Sequence, residues 1–112
     1  MAKVQISFQD NADNETHFYI YRSTATPVTS ADTKIMELEW NSTNSEWEFN
    51  QNTTATNPEV TQGASSDPTS SGDTFIVLYD ESTADTYYYG VSAFNSVGES
   101  GVSSSGAVTV TG

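Results

Sequence analysis

The chain has no cysteine and only three basic residues among its 112 positions. Without cysteine it can have no disulfide framework, no thiolate metal ligand and no cysteine nucleophile. The three Lys and Arg stand against 15 Asp and Glu, which gives a formal net charge of −12. Binding to nucleic acid or to an anionic membrane surface needs a basic footprint. The composition therefore argues against both kinds of partner.

Long hydrophobic runs are missing as well. The longest apolar run is Phe75-Ile-Val-Leu-Tyr79, whereas a membrane-spanning helix needs about 20 apolar residues. The opening residues, Met1 to Ile6, already alternate like a strand, so we expect neither a signal peptide nor a transmembrane segment. The length is that of one domain with one core, and we assign residues 1–112 to it.

Catalytic residue patterns are also lacking. His17 is the only histidine, and no serine nucleophile motif accompanies it. General acid–base catalysis needs paired groups in tuned environments, and the carboxylates here fall mostly in turns and on outward faces. The sequence therefore predicts that the protein is not an enzyme and has no cofactor.

Two turns are rich in carboxylates and are candidate metal sites, because Ca²⁺ takes six to eight oxygen ligands from such loops. One holds Asp80, Glu81 and Asp85. The other holds Asp10, Asp13 and Glu15. Neither matches the EF-hand pattern. We expect no metal site, with Asp10, Asp13 and Glu15 as weak candidates.

What the sequence does contain is apolar residues that alternate with polar ones at a period of two. This pattern predicts strands with one buried face. The turn Asn95-Ser-Val-Gly98 follows the longest of these stretches, and Gly98 can take a positive φ there. A last strand is expected at 107–110. The inward-facing sets are Val4, Ile6 and Phe8; Phe18 and Ile20; and Tyr87, Tyr89, Val91 and Ala93.

Two parts of the chain resemble the bacterial and archaeal kind of fibronectin type III domain. The first is Ile6-Ser-Phe-Gln-Asp-Asn11 followed by Asn14-Glu-Thr-His-Phe-Tyr-Ile-Tyr-Arg-Ser23. The second is Tyr87-Tyr-Tyr-Gly-Val-Ser-Ala-Phe-Asn-Ser-Val-Gly-Glu-Ser100. The resemblance implies an all-β, immunoglobulin-like antiparallel β-sandwich of the strands B, C, E, F and G. Strand B would contain Val4, Ile6 and Phe8, strand C would be His17–Ser23, strand E would end at Leu78, strand F would begin at Tyr87, and strand G would be 107–110.

The resemblance also implies roles for single residues. Tyr87 would be the tyrosine-corner residue, whose hydroxyl hydrogen bonds to nearby backbone. Leu78 would be the buried leucine that ends strand E. Phe8 takes the place where the family most often has tryptophan.

The middle of the chain departs from the family pattern. Residues 34–40 and 46–49 alternate on either side of a turn, so we expect an extended C' hairpin over 34–49. Residues 50–73 are rich in Asn, Thr, Ser, Gly and Pro, and we expect a long polar loop there. We also expect this loop to be held at one or two points.

A second departure concerns the first strand. Domains of this family normally begin with a strand A that covers the edge of strand B, and Met1 stands only two residues before strand B. The backbone of Val4, Gln5 and Ile6 would then be an open edge, which natural proteins usually blunt or pair. Lys3 blunts this edge in one interpretation. In the other, a neighbouring chain or the long loop of this chain supplies the missing strand by β-augmentation.

The aromatic residues suggest an interaction surface, because exposed aromatic patches mark binding sites. One interpretation is that they form an interface with another molecule. In the alternative, the 34–49 hairpin folds over strands C and F, and its tryptophans bury the tyrosines. The candidates are Tyr19, Tyr21, Tyr88 and Phe94, which have outward parity, together with Trp40, Trp47 and Phe49 of the hairpin.

These observations predict a non-enzymatic structural or adhesion module. Its acidic, Ser- and Thr-rich composition is typical of proteins that stay soluble in concentrated salt, although an ordinary acidic extracellular module remains open. We expect a surface component of a larger assembly, such as the head or tail of a virus of a halophilic prokaryote, in a virion or on an extracellular surface. Its partners would be protein subunits, self or other, and a glycan is a further option. The alternative is a carbohydrate-binding or spacer module of a secreted enzyme or surface-layer protein.

Overall fold

A computed structural model describes residues 2–9, 15–61, 74–104 and 108–110, and within these ranges the chain is all-β. None of the described residues forms a helix long and apolar enough to cross a membrane. The strands, in chain order, are β1 (Ala2–Gln9), β2 (His17–Ser23), β3 (Thr33–Asn41), β4 (Glu46–Phe49), β5 (Thr56–Thr61), β6 (Thr74–Glu81), β7 (Asp85–Asn95), β8 (Gly98–Glu99), β9 (Ser103–Ser104) and β10 (Val108–Val110).

The strands form two antiparallel sheets. The smaller sheet has the order β1-β6-β5, and the larger has the order β10-β7-β2-β3-β4, with β8 and β9 also paired to β7. β1 pairs with β6 over its whole length, from Ala2 opposite Glu81 to Gln9 opposite Thr74. In the larger sheet, β2 lies between β7 and β3, with Ile20 opposite both Val91 and Met36.

Each sheet turns one apolar face towards the other, which gives a sandwich-like architecture. The rings of Phe8 and Phe75 stack at 5.2 Å, and Phe18 of the larger sheet lies 5.3 Å and 5.2 Å from them. Ile20, Met36, Leu38 and Val77 are fully buried between the sheets. Burial of a large apolar side chain stabilises a fold by about 1.5–3 kcal/mol, so this shared core holds the two sheets together.

A strand occurs where the sequence predicted only loop. Residues 50–73 were expected to be a long polar loop, but Thr56–Thr61 forms β5 and pairs with β6. Pro58 lowers the strand signal because proline cannot donate to a sheet ladder. It is accommodated because β5 is an edge strand and the register shifts between Thr56 and Glu59. Residues 62–73 of the expected loop lie outside the described residues.

The expected burial of Leu78 is wrong. Along β6 the buried residues are Phe75, Val77 and Tyr79, and the half-buried Ile76 and Leu78 alternate with them. The pairing with β1 fixes this parity, because it places Val77 opposite the inward-facing Ile6 and residues opposite each other share a face. Leu78 therefore lies on the outer face of the smaller sheet.

Candidate interaction surfaces

The outer face of the larger sheet carries the aromatic residues that the sequence placed outward on β2 and β7. The register puts His17 opposite Phe94, Tyr19 opposite Ser92 and Tyr21 opposite Gly90. Tyr88, opposite Ser23, has the same parity and is half-buried. On the other side of β2, Glu39, Glu37 and Lys34 of β3 lie opposite His17, Tyr19 and Tyr21. Acids and aromatic rings therefore share this face.

Three rings form a cluster on this face, at the end of the sheet where β2 begins and β7 finishes. We call this cluster, His17, Tyr19 and Phe94, the outer aromatic patch. The Tyr19 and Phe94 ring centroids are 5.4 Å apart at an interplanar angle of 32°, and His17 meets Phe94 edge-on at 5.6 Å. All three side chains are half-buried. The patch is thus ordered by ring contacts and still reaches the surface.

Three carboxylates frame the outer aromatic patch. Glu39 is 52% exposed at its side chain, and its Oε1 lies 3.6 Å from His17 Nε2. Glu37 is buried, and Glu99 of β8 lies opposite Phe94. Burial, together with the charges of Glu37 and Glu99, raises the pKa of Tyr19. The electrostatic environment of the patch is therefore negative.

Glu37 is held by a network that also anchors residues 50–53. Its carboxylate accepts hydrogen bonds from Lys34 Nζ (2.6 Å), Asn50 Nδ2 (2.6 Å) and Asn52 Nδ2 (3.1 Å). Its backbone N–H donates to Thr53 Oγ1 at 3.1 Å. Burial opposes ionisation of Glu37, but the three donors outweigh burial and hold its pKa below the usual value. The predicted tethering of the 50–73 segment is therefore seen at this carboxylate.

One cation already lies on the outer aromatic patch. Lys34 Nζ is 4.1 Å from the centroid of the Tyr19 ring while it donates to Glu37. A cation over an aromatic face is stabilised by the ring quadrupole. The arrangement of ring and carboxylates on this face thus suits a positively charged group.

Tyr21 lies beside the outer aromatic patch but is itself buried, at 5% exposure. Its hydroxyl donates to Glu99 Oε2 at 2.6 Å, and Ser92 Oγ donates to the same oxygen. At the paired Gly90, a Cβ would come within 2.4 Å of Val102 Cγ1 and 2.9 Å of Val28 Cγ1. Segments of the chain therefore cover this end of the sheet, and Tyr21 is unsuited to contact a partner.

The hairpin aromatics lie on the opposite face of the sheet from the outer aromatic patch. Trp47 is 1% exposed and packs against Phe18 and Phe75 at 4.8 Å and 6.1 Å. Trp40, opposite Trp47, and Phe49, opposite Leu38, also pack against the core. Both interpretations of the hairpin were wrong, since its tryptophans neither join the tyrosines nor cover them. The hairpin continues the sheet with the same alternation, and this turns its aromatics inward.

The edge of β1 is a second candidate surface. The side chains of Val4 and Ile6 point into the core, at 5% and 9% exposure, and Gln5 is exposed. Lys3 on the outward side forms ion pairs with Asp80 (3.1 Å) and Glu59 (3.3 Å). Among the described strands, β1 pairs with β6 alone. The candidate interface at 4–6 therefore consists of backbone, and the side chains of Val4 and Ile6 are not available.

A polar network that no sequence pattern indicated joins the two sheets. Arg22 of β2 forms an ion pair with the buried Glu81 of β6, and Tyr79 donates to Glu81 Oε1 at 3.0 Å. The hydroxyls of Tyr79 and Tyr89 are 2.6 Å apart, and burial is the main cause that raises the pKa of both. Long-range pairing of this kind leaves no local pattern in a sequence.

The hydrogen bond expected of Tyr87 is present. Its hydroxyl donates to the carbonyl oxygen of Thr83 at 3.3 Å, four residues earlier in the chain. The Arg22 guanidinium lies 4.8 Å from the centroid of the Tyr87 ring. The ring thus closes the core beside the Arg22–Glu81 pair.

The weak metal candidates are only partly within the described residues. Asp10 and Asp13 lie outside them, and Glu15 is buried at 1% exposure. Among the described residues there is no group of three or more His, Asp or Glu arranged to hold a metal ion.

Comparison of the chain with protein-family models, with curated proteins and with solved structures found no match.

Proposed function

We propose that this chain is a non-enzymatic interaction module of the fibronectin type III kind, which joins a larger assembly through its outer aromatic patch. This assembly would be a particle such as the head or tail of a virus of a halophilic prokaryote. The net charge of −12 agrees with a role in concentrated salt, where self-repulsion is screened.

Two features support the fibronectin type III kind. The smaller sheet, β1-β6-β5, and the larger sheet, β10-β7-β2-β3-β4, have the order that the mapping onto strands B, C, E, F and G requires. The Tyr87 hydroxyl donates to the Thr83 carbonyl at the start of β7, as a tyrosine corner does.

The observation that carries the proposed function is the pair of half-buried rings, Tyr19 and Phe94, which contact each other on the outer face of the larger sheet. Rings that served only the core would face the smaller sheet. Aromatic side chains are enriched where proteins bind each other, because they bury a large area and lose little conformational entropy. The turn next to Phe94 adds Val97, which is 94% exposed.

The charges around the patch indicate a basic partner. Glu37, Glu39 and Glu99 surround the rings, and Lys34 shows that Tyr19 accepts a cation on its face. An arginine or lysine of a partner could therefore stack on Phe94 and pair with Glu39, whose side chain is half exposed. Complementary charge would also speed the encounter at low salt.

A carbohydrate partner is the second candidate function. Sugars stack on exposed rings and hydrogen bond to polar groups at their rim. The exposed carboxylate of Glu39, whose Oε1 accepts a hydrogen bond from Asn50 Nδ2 at 3.1 Å and lies beside the His17 ring, supplies acceptors for sugar hydroxyls. The same rings would serve both functions, so the partner class has to be measured.

The test screens the purified protein against a displayed peptide library and a glycan array, and repeats each hit with Tyr19→Ala and Phe94→Ala. Leu78→Ala is the matched control, because it removes a half-buried apolar side chain from the outer face of the other sheet. Circular dichroism checks that all three variants are folded.

Peptide hits that are rich in Arg or Lys and weaken at least about tenfold in both patch variants, but not in the control, would support the proposal; such a loss corresponds to about 1.4 kcal/mol. Glycan hits with the same dependence would replace it with the carbohydrate function. Hits that bind Tyr19→Ala and Phe94→Ala as well as the wild type, or no hits in either screen, would overturn the proposal.

A further inference from the structure

β1 is a long, regular edge strand whose outer side has no strand beside it among the described residues. It pairs with β6 through eight consecutive residue pairs, from Ala2 to Gln9, without a register shift. It contains no proline, and Lys3 is its only charged residue. A strand of this kind presents a row of N–H and C=O groups that can pair with another chain.

The other sheet edges are blunted. β5 has Pro58, a register shift and a positive φ of 50° at Asn57. β4 has four residues and two glutamates, and β10 has three residues. These are the devices by which proteins prevent edge pairing. β1, whose only such feature is Lys3 near its start, is therefore the least protected of the described edges.

Among the described residues, no strand occupies the position on the outer side of β1. Ala55, directly before β5, donates its N–H to the carbonyl of Ile35 in β3, so β5 lies on the β3 side of the larger sheet. β1 is at the opposite end of the smaller sheet and thus lies towards β10. Val108 of β10 packs against the core but is only half-buried. A strand added to β1 would lie over β10 and cover Val108.

We propose that β1 receives an extended segment of another polypeptide, which becomes the fourth strand of the smaller sheet by β-augmentation. The segment would have about seven residues that alternate between apolar and basic side chains. Its apolar residues would continue the inward set of Val4, Ile6 and Phe8, because residues of one parity share a face. Its basic residues would face outward into the field of a chain of net charge −12.

A second copy of this chain fits the edge less well. A two-fold axis that pairs β1 of one copy with β1 of a second copy, with the apolar faces of both on the same side, is perpendicular to the sheet. This axis would bring β10 of the second copy towards the space that β10 of the first copy already occupies. Two chains of −12 would also repel each other. An extended segment meets neither obstacle. This inference is independent of the outer aromatic patch, which lies on the other sheet.

The experiment uses amide hydrogen exchange by NMR on the 112-residue chain. In the free protein, every second amide of β1 should exchange fast, because alternate N–H groups point away from β6. The probe is a synthetic nine-residue peptide of alternating valine and lysine with blocked ends. At about ten times its Kd, exchange of the fast set should slow about tenfold. A peptide of the same sequence and charge that is N-methylated at every residue has no N–H group to donate on either side, and should have no effect.

A pair of variants links the effect to the backbone of β1. If Gln5 belongs to the fast set, Gln5→Pro removes the outward N–H and should abolish peptide protection, while Gln5→Ala should bind as the wild type does. If Ile6 belongs to the fast-exchanging set instead, Ile6→Pro and Ile6→Val are used in place of the two Gln5 variants. Circular dichroism and the exchange of β6 amides report whether each variant is folded.

Three results would overturn the inference. The first is slow exchange of all β1 amides in the free protein, which would mean that the edge is already covered. The second is equal protection by the N-methylated peptide, which would mean that charge alone binds it. The third is a dimer in sedimentation equilibrium that protects the same amides without peptide. Because Tyr19→Ala should leave peptide protection intact, a failure of the proposed function would be seen separately.

Discussion

At the scale of single residues, two sets of aromatic side chains that the sequence grouped together serve different purposes. Trp47 is 1% exposed and contacts Phe18 and Phe75, whereas Phe94 is half-buried on the outer face. The alternation on β2 and β7 predicted the parity of Tyr19 and Phe94. Alternation could not predict which face of the 34–49 hairpin is buried, because either face of a hairpin can pack against the core until the neighbouring strand is known.

Trp47→Ala should therefore be far more destabilising than Phe94→Ala. Loss of a buried tryptophan costs about 3–5 kcal/mol, and loss of a half-buried phenylalanine about 1 kcal/mol. Urea unfolding, followed by tryptophan and tyrosine fluorescence, gives both free energies of unfolding. A Phe94→Ala loss as large as that of Trp47→Ala would mean that the outer aromatic patch is a second core.

The Arg22–Glu81 pair is a further prediction at this scale. The Glu81 side chain is 7% exposed and that of Arg22 is 29% exposed. Arg22→Met leaves a buried carboxylate without its cation, which should cost about 3 kcal/mol. Adding Glu81→Gln removes that charge but keeps an oxygen that can accept from Tyr79. The double variant should therefore recover at least about 1 kcal/mol, measured by urea unfolding as a double-mutant cycle. Equal stabilities of single and double variants would contradict the pairing.

At the scale of elements, the sequence predicted most strands, because their apolar residues alternate clearly. β2 and β4 have the predicted bounds, His17–Ser23 and Glu46–Phe49. β5 could not be predicted from its own residues, since Val60 is its only branched aliphatic residue and Pro58 lowers its strand signal. It forms because β6 offers a free edge and because the segment before it is fastened to β3 through Glu37 and Ile35.

Glu37→Gln tests this attachment through the pH dependence of stability. Hydrogen bonds to Glu37 hold its folded pKa below the unfolded value, which is about 4.3. Its contribution to stability is therefore fully present above the unfolded pKa and is lost as pH falls through the folded pKa. The difference in unfolding free energy between wild type and Glu37→Gln should be about 1.5–3 kcal/mol at pH 7 and should shrink below about pH 4.

The control for this prediction is Glu59→Gln, in the other sheet. The Glu59 side chain is 62% exposed, so the variant should stay within about 0.5 kcal/mol of the wild type at every pH. Urea unfolding between pH 3 and pH 7 measures all three proteins. A difference between wild type and Glu37→Gln that stays constant over this range would show that Glu37 does not titrate as argued.

At the scale of the whole molecule, the two sheets differ in width and in how their outer surfaces are used. The larger sheet exposes the outer aromatic patch on its face, while the smaller sheet exposes a regular edge at β1. Alternation in the sequence predicted the outward parity of the face, whereas the open edge was expected from the resemblance to a family in which a further strand normally covers strand B. Neither line of reasoning could predict that acidic side chains converge on the patch, because Glu37, Glu39 and Glu99 come from β3 and β8.

The charge of the whole chain gives the last prediction. With 15 Asp and Glu against three Lys and Arg, the folded state holds many like charges close together, and unfolding relieves their repulsion. The Debye length falls from about 10 Å at 0.1 M salt to about 3 Å at 1 M. The midpoint of thermal unfolding should therefore rise by several degrees between about 0.05 M and 1 M KCl, which calorimetry measures.

The salt for this experiment is a chloride, because sulfate stabilises proteins in general by exclusion from their surface. A variant with exposed glutamates on both sheets replaced, Glu39→Gln with Glu59→Gln, should respond less to KCl. An unfolding midpoint that does not change with KCl would remove the physical basis for placing this protein in concentrated salt.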